Sequence, residues 1–201
     1  MKQSTARFVS LFAFMTACST PGGDTSRSVP GADVAPSFGI GRTATPAEIA
    51  TLDIDVRPDG LGLPAGSGNA VAGARVYAAR CASCHAPEGQ GTPAGAALVG
   101  RIPNDEFPFG AEASGSDARK TVGSYWPYAT TLYDYVNRAM PFDKPGSLTP
   151  DEVYAVVAWT LWKNAIIGET DVMDRTTLPA VRMPARDRFV PDDREKYRVV
   201  R

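Results

Sequence analysis

The chain reads as an all-α domain with extended segments at both ends, on three observations. Residues 149–164 carry the strongest helical pattern of the sequence, behind a capping signal. A second helical pattern begins at Asn69 and runs directly into Cys81-Ala82-Ser83-Cys84-His85. No βαβ pattern surrounds that motif, and the one alternating run, Asp53-Ile54-Asp55-Val56, ends quickly in Arg57-Pro58-Asp59-Gly60.

Length and composition frame these elements. The 201 residues suffice for one domain with tails. The 19 glycines and 17 prolines imply long irregular segments. A net charge of -1 offers no basic excess for nucleic acid.

The start of the chain is a targeting signal, residues 1–17. Lys2 and Arg7 give a positive n-region, and Phe8 to Met15 is apolar but too short to span a bilayer. Met15-Thr16-Ala17-Cys18 resembles a bacterial lipobox, which implies lipidation of Cys18. The alternative is an ordinary secretory signal that leaves Cys18 removed or unmodified. Either signal exports the chain to an oxidising compartment. Expected localisation is the periplasmic side of a bacterial membrane, lipid-anchored through Cys18, with soluble periplasmic as the alternative. Residues 18–44, rich in Ser, Thr, Pro, Gly and Asp, form a flexible tether. About 25 such residues reach roughly 25–30 Å.

Residues 45–68 are an extended segment packed on the domain. Thr45-Pro46-Ala47-Glu48 opens it with a capping box and a proline at the first helical position. The strip at 53–60 follows, then a loop to Gly68. The main domain spans 69–168. Its first helix places Gly73 and Tyr77 on one face. Past His85 come Gly89, Gly91, Gly95 and Gly100 in a loop, with Leu98, Val99 and Ile102 as apolar contacts. Residues 103–119 read as an inserted loop containing Phe107 and Phe109. Thr130 or Thr131 opens a helix that stops before Pro141. The last helix starts at Thr149-Pro150-Asp151-Glu152, continues through Val153, Val157 and Leu161, and stops at Gly168. Residues 169–201 form a tail anchored by Leu178, Met183 and Phe189-Val190.

The chemistry sits in Cys81-Ala82-Ser83-Cys84-His85. Cysteines at i and i+3 share one side of a helical turn, so their sulfurs reach two vinyl groups of one porphyrin. His85, four residues after Cys81, keeps that side and can ligate the iron. It is the chain's single histidine. The expected cofactor is therefore one covalent haem c. A zinc site would need about four ligands, and only Cys18 remains as a further thiol. For the second axial position Met140 is favoured over Met183, because a soft thioether just after a helix suits ferrous iron. Tyr125 and Trp126 have polar tips suited to a haem propionate, and Arg138 or Lys120 could neutralise one. Core packing is the alternative for the aromatics.

The motif, Met140-Pro141 and the capped last helix resemble class I cytochromes c. That resemblance implies a crossing of the first and last helices at Gly73 and Tyr77, against Val153, Val157 and Trp159 or Leu161. It also implies a proline carbonyl on the proximal imidazole, for which Pro93 is the candidate and Pro87 is too close. Three stretches narrow the resemblance: Ala47 through Gly68, Thr121 through Phe142, and Val181 through Pro191. With Cys81–His85 they look like the cytochrome subunits of bacterial sulfite and sulfane dehydrogenases of the Sox and Sor type. Some members carry two haem domains, whereas this chain has a single C-x-x-C-H. The family implies electrons accepted from a molybdenum-cofactor partner and passed to a downstream cytochrome, with no bond chemistry of its own. The alternatives are a carrier for another periplasmic dehydrogenase, or a haem-based gas sensor whose Met140 leaves the iron.

Overall fold

A computed structural model of the protein describes residues 39–101 and 120–190. The leader, Cys18, most of the tether, Ile102 and the 103–119 loop with Phe107 and Phe109 lie outside the described residues, as does the chain after Val190. Contacts divide the chain between Thr43 and Ala44. Of the first unit only residues 39–43 are described, and all are exposed.

The fold is built around one helix, α6 (Pro150–Lys163), and every residue from Val153 to Leu161 is buried. The Thr149–Glu152 capping box satisfies its first amides, and Pro150 stands where no donor is needed. On one flank α6 meets α2 (Ala70–Arg80); on another it meets α5 (Ala129–Ala139). Short α3 (Ala82–His85) and α4 (Val122–Tyr125) complete the domain, and α1 (Pro46–Leu52) precedes it. Among the described residues no helix is long and apolar enough to cross a membrane.

The α2–α6 crossing falls on Gly73 and Tyr77. A Cβ at Gly73 would lie 1.9 Å from the Ala155 carbonyl oxygen, so only glycine permits this approach. Tyr77 stacks on Trp159 with ring centroids 3.6 Å apart. The face of α6 used here is Ala155, Val156 and Trp159. Of the residues expected, Trp159 alone is in it. Val153, Val157 and Leu161 belong to the larger cluster with Leu132 and Tyr133 of α5.

Three boundaries differ from expectation. Helix α5 begins at Ala129 behind Tyr128, which makes no side-chain cap. Thr130 instead donates its hydroxyl to the Pro58 carbonyl at 3.0 Å, and Thr131 donates to the Tyr128 carbonyl at 2.8 Å. Helix α6 ends at Lys163, capped by Asn164, before Gly168 is reached. Ala165 supplies the left-handed residue there, at φ 54°. The third is a two-residue strand, β1 (Ser67–Gly68), paired antiparallel with β2 (Met173–Asp174) where a loop was expected. Ser67 faces Asp174 and Gly68 faces Met173.

The extended segments are part of the core. Val56 is buried in the α5–α6 cluster, and its N–H donates to Asp134 Oδ1 at 2.8 Å. From the tail, Met173, Leu178 and Met183 join the same cluster. Phe189 and Val190 are exposed, and Phe189 meets the domain at the Tyr125 ring rather than in the core. Helix α1 buries none of its residues despite its complete capping box.

Candidate haem site

Helix α2 delivers Cys81 by its last backbone bond, from Cys81 N–H to the Tyr77 carbonyl at 2.9 Å. Cys81 then breaks the helix, at φ -125°. A new turn forms at once: Cys84 N–H and His85 N–H both return to the Cys81 carbonyl, at 3.1 and 2.9 Å. That single turn gathers the two thiols and the imidazole. Neither thiol is in a disulfide. Burial pushes the Cys81 thiol up to about 11, with Arg80 pulling it down and Cys84 adding to the rise. Cys84 is exposed and His85 half-buried.

The imidazole is fixed by the following loop. His85 Nδ1 lies 2.7 Å from the Ala96 carbonyl oxygen. A carbonyl only accepts, so Nδ1 carries the proton and Nε2 keeps its lone pair for a metal. Gly91 N–H donates to the His85 carbonyl at 2.9 Å, and Thr92 Oγ1 donates to the Cys84 carbonyl at 2.6 Å. A bridge between Thr92 and Gly95 turns the loop back over the motif. A Cβ at Gly95 would stand 2.7 Å from the Cys84 carbonyl oxygen and 3.1 Å from His85 Nδ1. The acceptor is thus Ala96 rather than Pro93, which is exposed at the turn between Thr92 and Gly95. Pro87 is exposed as well.

Met140 caps the C-terminus of α5 in extended conformation, its N–H bonded to the Val136 carbonyl at 3.1 Å. It is half-buried, whereas Met173 and Met183 are buried in the α5–α6 core. The peptide between Met140 and buried Pro141 is cis. Arg80 donates to Ser147 Oγ at 2.6 Å, tying the residue before Cys81 to the loop after Met140.

The other anticipated residues have protein partners. Tyr125 is edge-on to Phe189 at 5.4 Å, with Lys120 Nζ 4.9 Å from its ring centre. Trp126 meets Tyr135 edge-on at 5.8 Å. Arg138 pairs with Asp134 through Nε at 2.9 Å and a second, closer contact from its terminal nitrogen. Burial raises the Asp134 carboxyl, but hydrogen bonds from Arg138 and the Val56 amide outweigh it and hold the group below the usual carboxylate range.

Two residues were not singled out from sequence. Asp134 is one. The other is Asn164, buried at the end of α6, which donates to the Leu98 carbonyl at 3.0 Å and accepts from Gly100 N–H at 3.2 Å. Gly123 packs against it so closely that a Cβ would be 2.5 Å from its Oδ1. An amide closing an otherwise apolar run was the signal available.

The donor set fits a c-type haem: two free thiols and a tautomer-fixed imidazole on one turn, beside half-buried Leu98, Val99 and Val136. Among the described residues no group of three or more His, Cys, Asp or Glu is placed to hold a metal ion.

The fold and this motif define an electron-transfer protein of the all-α, class I cytochrome c type. A family model described as cytochrome c matches residues 70–162, and the chain belongs to that family, whose members bind haem c covalently. More particularly, it is similar to a chain in the crystal structure of the sulfane dehydrogenase SoxCD from Paracoccus pantotrophus. Identity is 36%, the TM-score is 0.67, and the match covers 81% of this chain and 76% of that one. No curated protein sequence matches.

Proposed function

We propose that this protein is an exported electron carrier with one haem held by Cys81 and Cys84, His85 and Met140 being the axial ligands. The haem, when bound, supplies a one-electron couple; the polypeptide sets its potential, exposure and docking. His85 presents Nε2 because Ala96 holds Nδ1, and this 2.7 Å contact carries the reading. Met140 is the described methionine outside the core, at the end of a helix whose last turn is intact. The similarity to a chain of the sulfane dehydrogenase SoxCD supports a sulfur-dehydrogenase donor; in this proposal that donor is a molybdenum-cofactor enzyme of the sulfite- or sulfane-dehydrogenase type, and the acceptor is a downstream cytochrome. Residues 1–17 and the lipobox support attachment to the periplasmic face of a membrane through Cys18.

Replacing Met140 by Ala tests the axial pair. The ferric protein should lose the weak far-red absorption of a methionine-ligated haem, and Met183→Ala should keep it in whatever fraction folds. Retention of the band in Met140→Ala, or its loss from folded Met183→Ala, would reverse the assignment.

A further inference from the structure

Tyr77 lies in the α2–α6 seam, yet its hydroxyl reaches out of it. The phenol donates to the Ala86 carbonyl oxygen at 2.8 Å, and both residues are buried. Ala86 directly follows His85. Its backbone, at φ 66° and ψ 158°, occupies a region that essentially only glycine adopts without strain. The same carbonyl also accepts Gly89 N–H at 3.1 Å. From this turn the chain enters the loop that brings the Ala96 carbonyl to His85 Nδ1 and Gly91 N–H to the His85 carbonyl. Ala86 is therefore the corner on which the acceptor for the imidazole hangs. The ring of Tyr77 is held in place by its stack on Trp159. Burial, and then Cys81 and Glu88, push its phenol above the ordinary range, so it stays a donor.

We propose that Tyr77 is a positioning residue for His85: its hydroxyl holds Ala86 in the strained turn and thereby keeps the Ala96 carbonyl on Nδ1. This rests on the reading of His85 as the proximal ligand. An acceptor on Nδ1–H makes the imidazole a more basic ligand and favours ferric iron. Loosening that bond should raise the reduction potential and speed solvent exchange of the ring proton.

The test is Tyr77→Phe, which keeps the ring and removes the donor. Expected are a more positive reduction potential and severalfold faster exchange of the His85 Nδ1 proton, followed by NMR. Adding Ala86→Gly, which takes φ 66° without strain, should return both readouts to wild type. An unshifted potential in Tyr77→Phe, or a shift that Ala86→Gly leaves in place, overturns the proposal. Should Tyr77→Phe alone fail to mature, the Ala86→Gly background decides. There Tyr77→Phe must leave the potential where Ala86→Gly alone sets it, and a difference refutes the mechanism. Wild-type protein without an imidazole-ligated haem overturns the ligand reading and this one together; with that ligation intact, a null variant overturns this one alone.

Discussion

Gly73→Ala puts one methyl group into the tightest place in the fold. The new Cβ would meet the Ala155 carbonyl oxygen at 1.9 Å, its carbon at 2.6 Å and Trp159 Cβ at 2.8 Å. Ordinary contact begins near 3.4 Å. Two of the three obstacles are backbone atoms of α6 and the third is fixed to backbone, so no rotamer change relieves them. The helices must separate, which disturbs the Tyr77–Trp159 stack. Overpacking costs about 1–3 kcal/mol and sometimes more; a rigid obstacle belongs at the upper end. A lost aromatic stack adds about 1 kcal/mol. Alanine's better helix propensity returns about 1 kcal/mol. The net is a loss of about 3 kcal/mol. With a urea slope of about 1–3 kcal/mol per molar, the unfolding midpoint should fall by about 1 M or more. Circular dichroism of the ferric protein measures it. At exposed Ala74, one residue on, Ala74→Gly should cost only about 1 kcal/mol. A Gly73→Ala protein as stable as wild type would refute the close crossing.

Asp134→Ala should destabilise by about 1–3 kcal/mol, since it leaves the Val56 amide without its acceptor. Asp134→Asn should cost less. Because the folded carboxyl titrates below its unfolded value of about 3.9, its contribution is present above that pH and is lost as pH falls through the folded value. The gap between wild type and Asp134→Asn should therefore close in acid; a gap that widens there contradicts the pairing. Thr149→Ala should cost about 1 kcal/mol by uncapping buried α6, whereas Thr45→Ala should leave global stability unchanged, because α1 buries nothing. Equal losses in thermal melts would mean that α1 is not peripheral. Cys18→Ser should move the protein from the membrane to the soluble fraction, and unchanged sedimentation would contradict lipid anchoring.

Local signals in the sequence were the informative ones. Thr45–Glu48 and Thr149–Glu152 announced two helix starts, because a capping box involves residues three apart. Gly73 and Tyr77 announced their shared face for a similar reason. Their partners on α6 were misplaced because that helix is buried on all sides, so periodicity shows no polar stripe to orient it. Helix α4 was missed: its box pairs Thr121 with Ser124, where glutamate or glutamine is the usual sign. The Ala96 contact depends on a hairpin register set by Thr92 and Gly95, which leaves no periodic trace. The β1–β2 pair joins residues about a hundred positions apart, and two residues are too few to show alternation.

Residues outside 70–162 finish the hydrophobic wall of this cytochrome. A fragment trimmed to the family match would keep Cys81, Cys84, His85 and Met140. It would lose Val56, Met173, Leu178 and Met183, all buried against α5 and α6, together with both strands that stitch the two ends to each other. Its haem motif would be complete and its outer surface greasy, an invitation to aggregation. A soluble piece should keep the segments carrying Val56 and Met183 rather than be drawn from the motif outward.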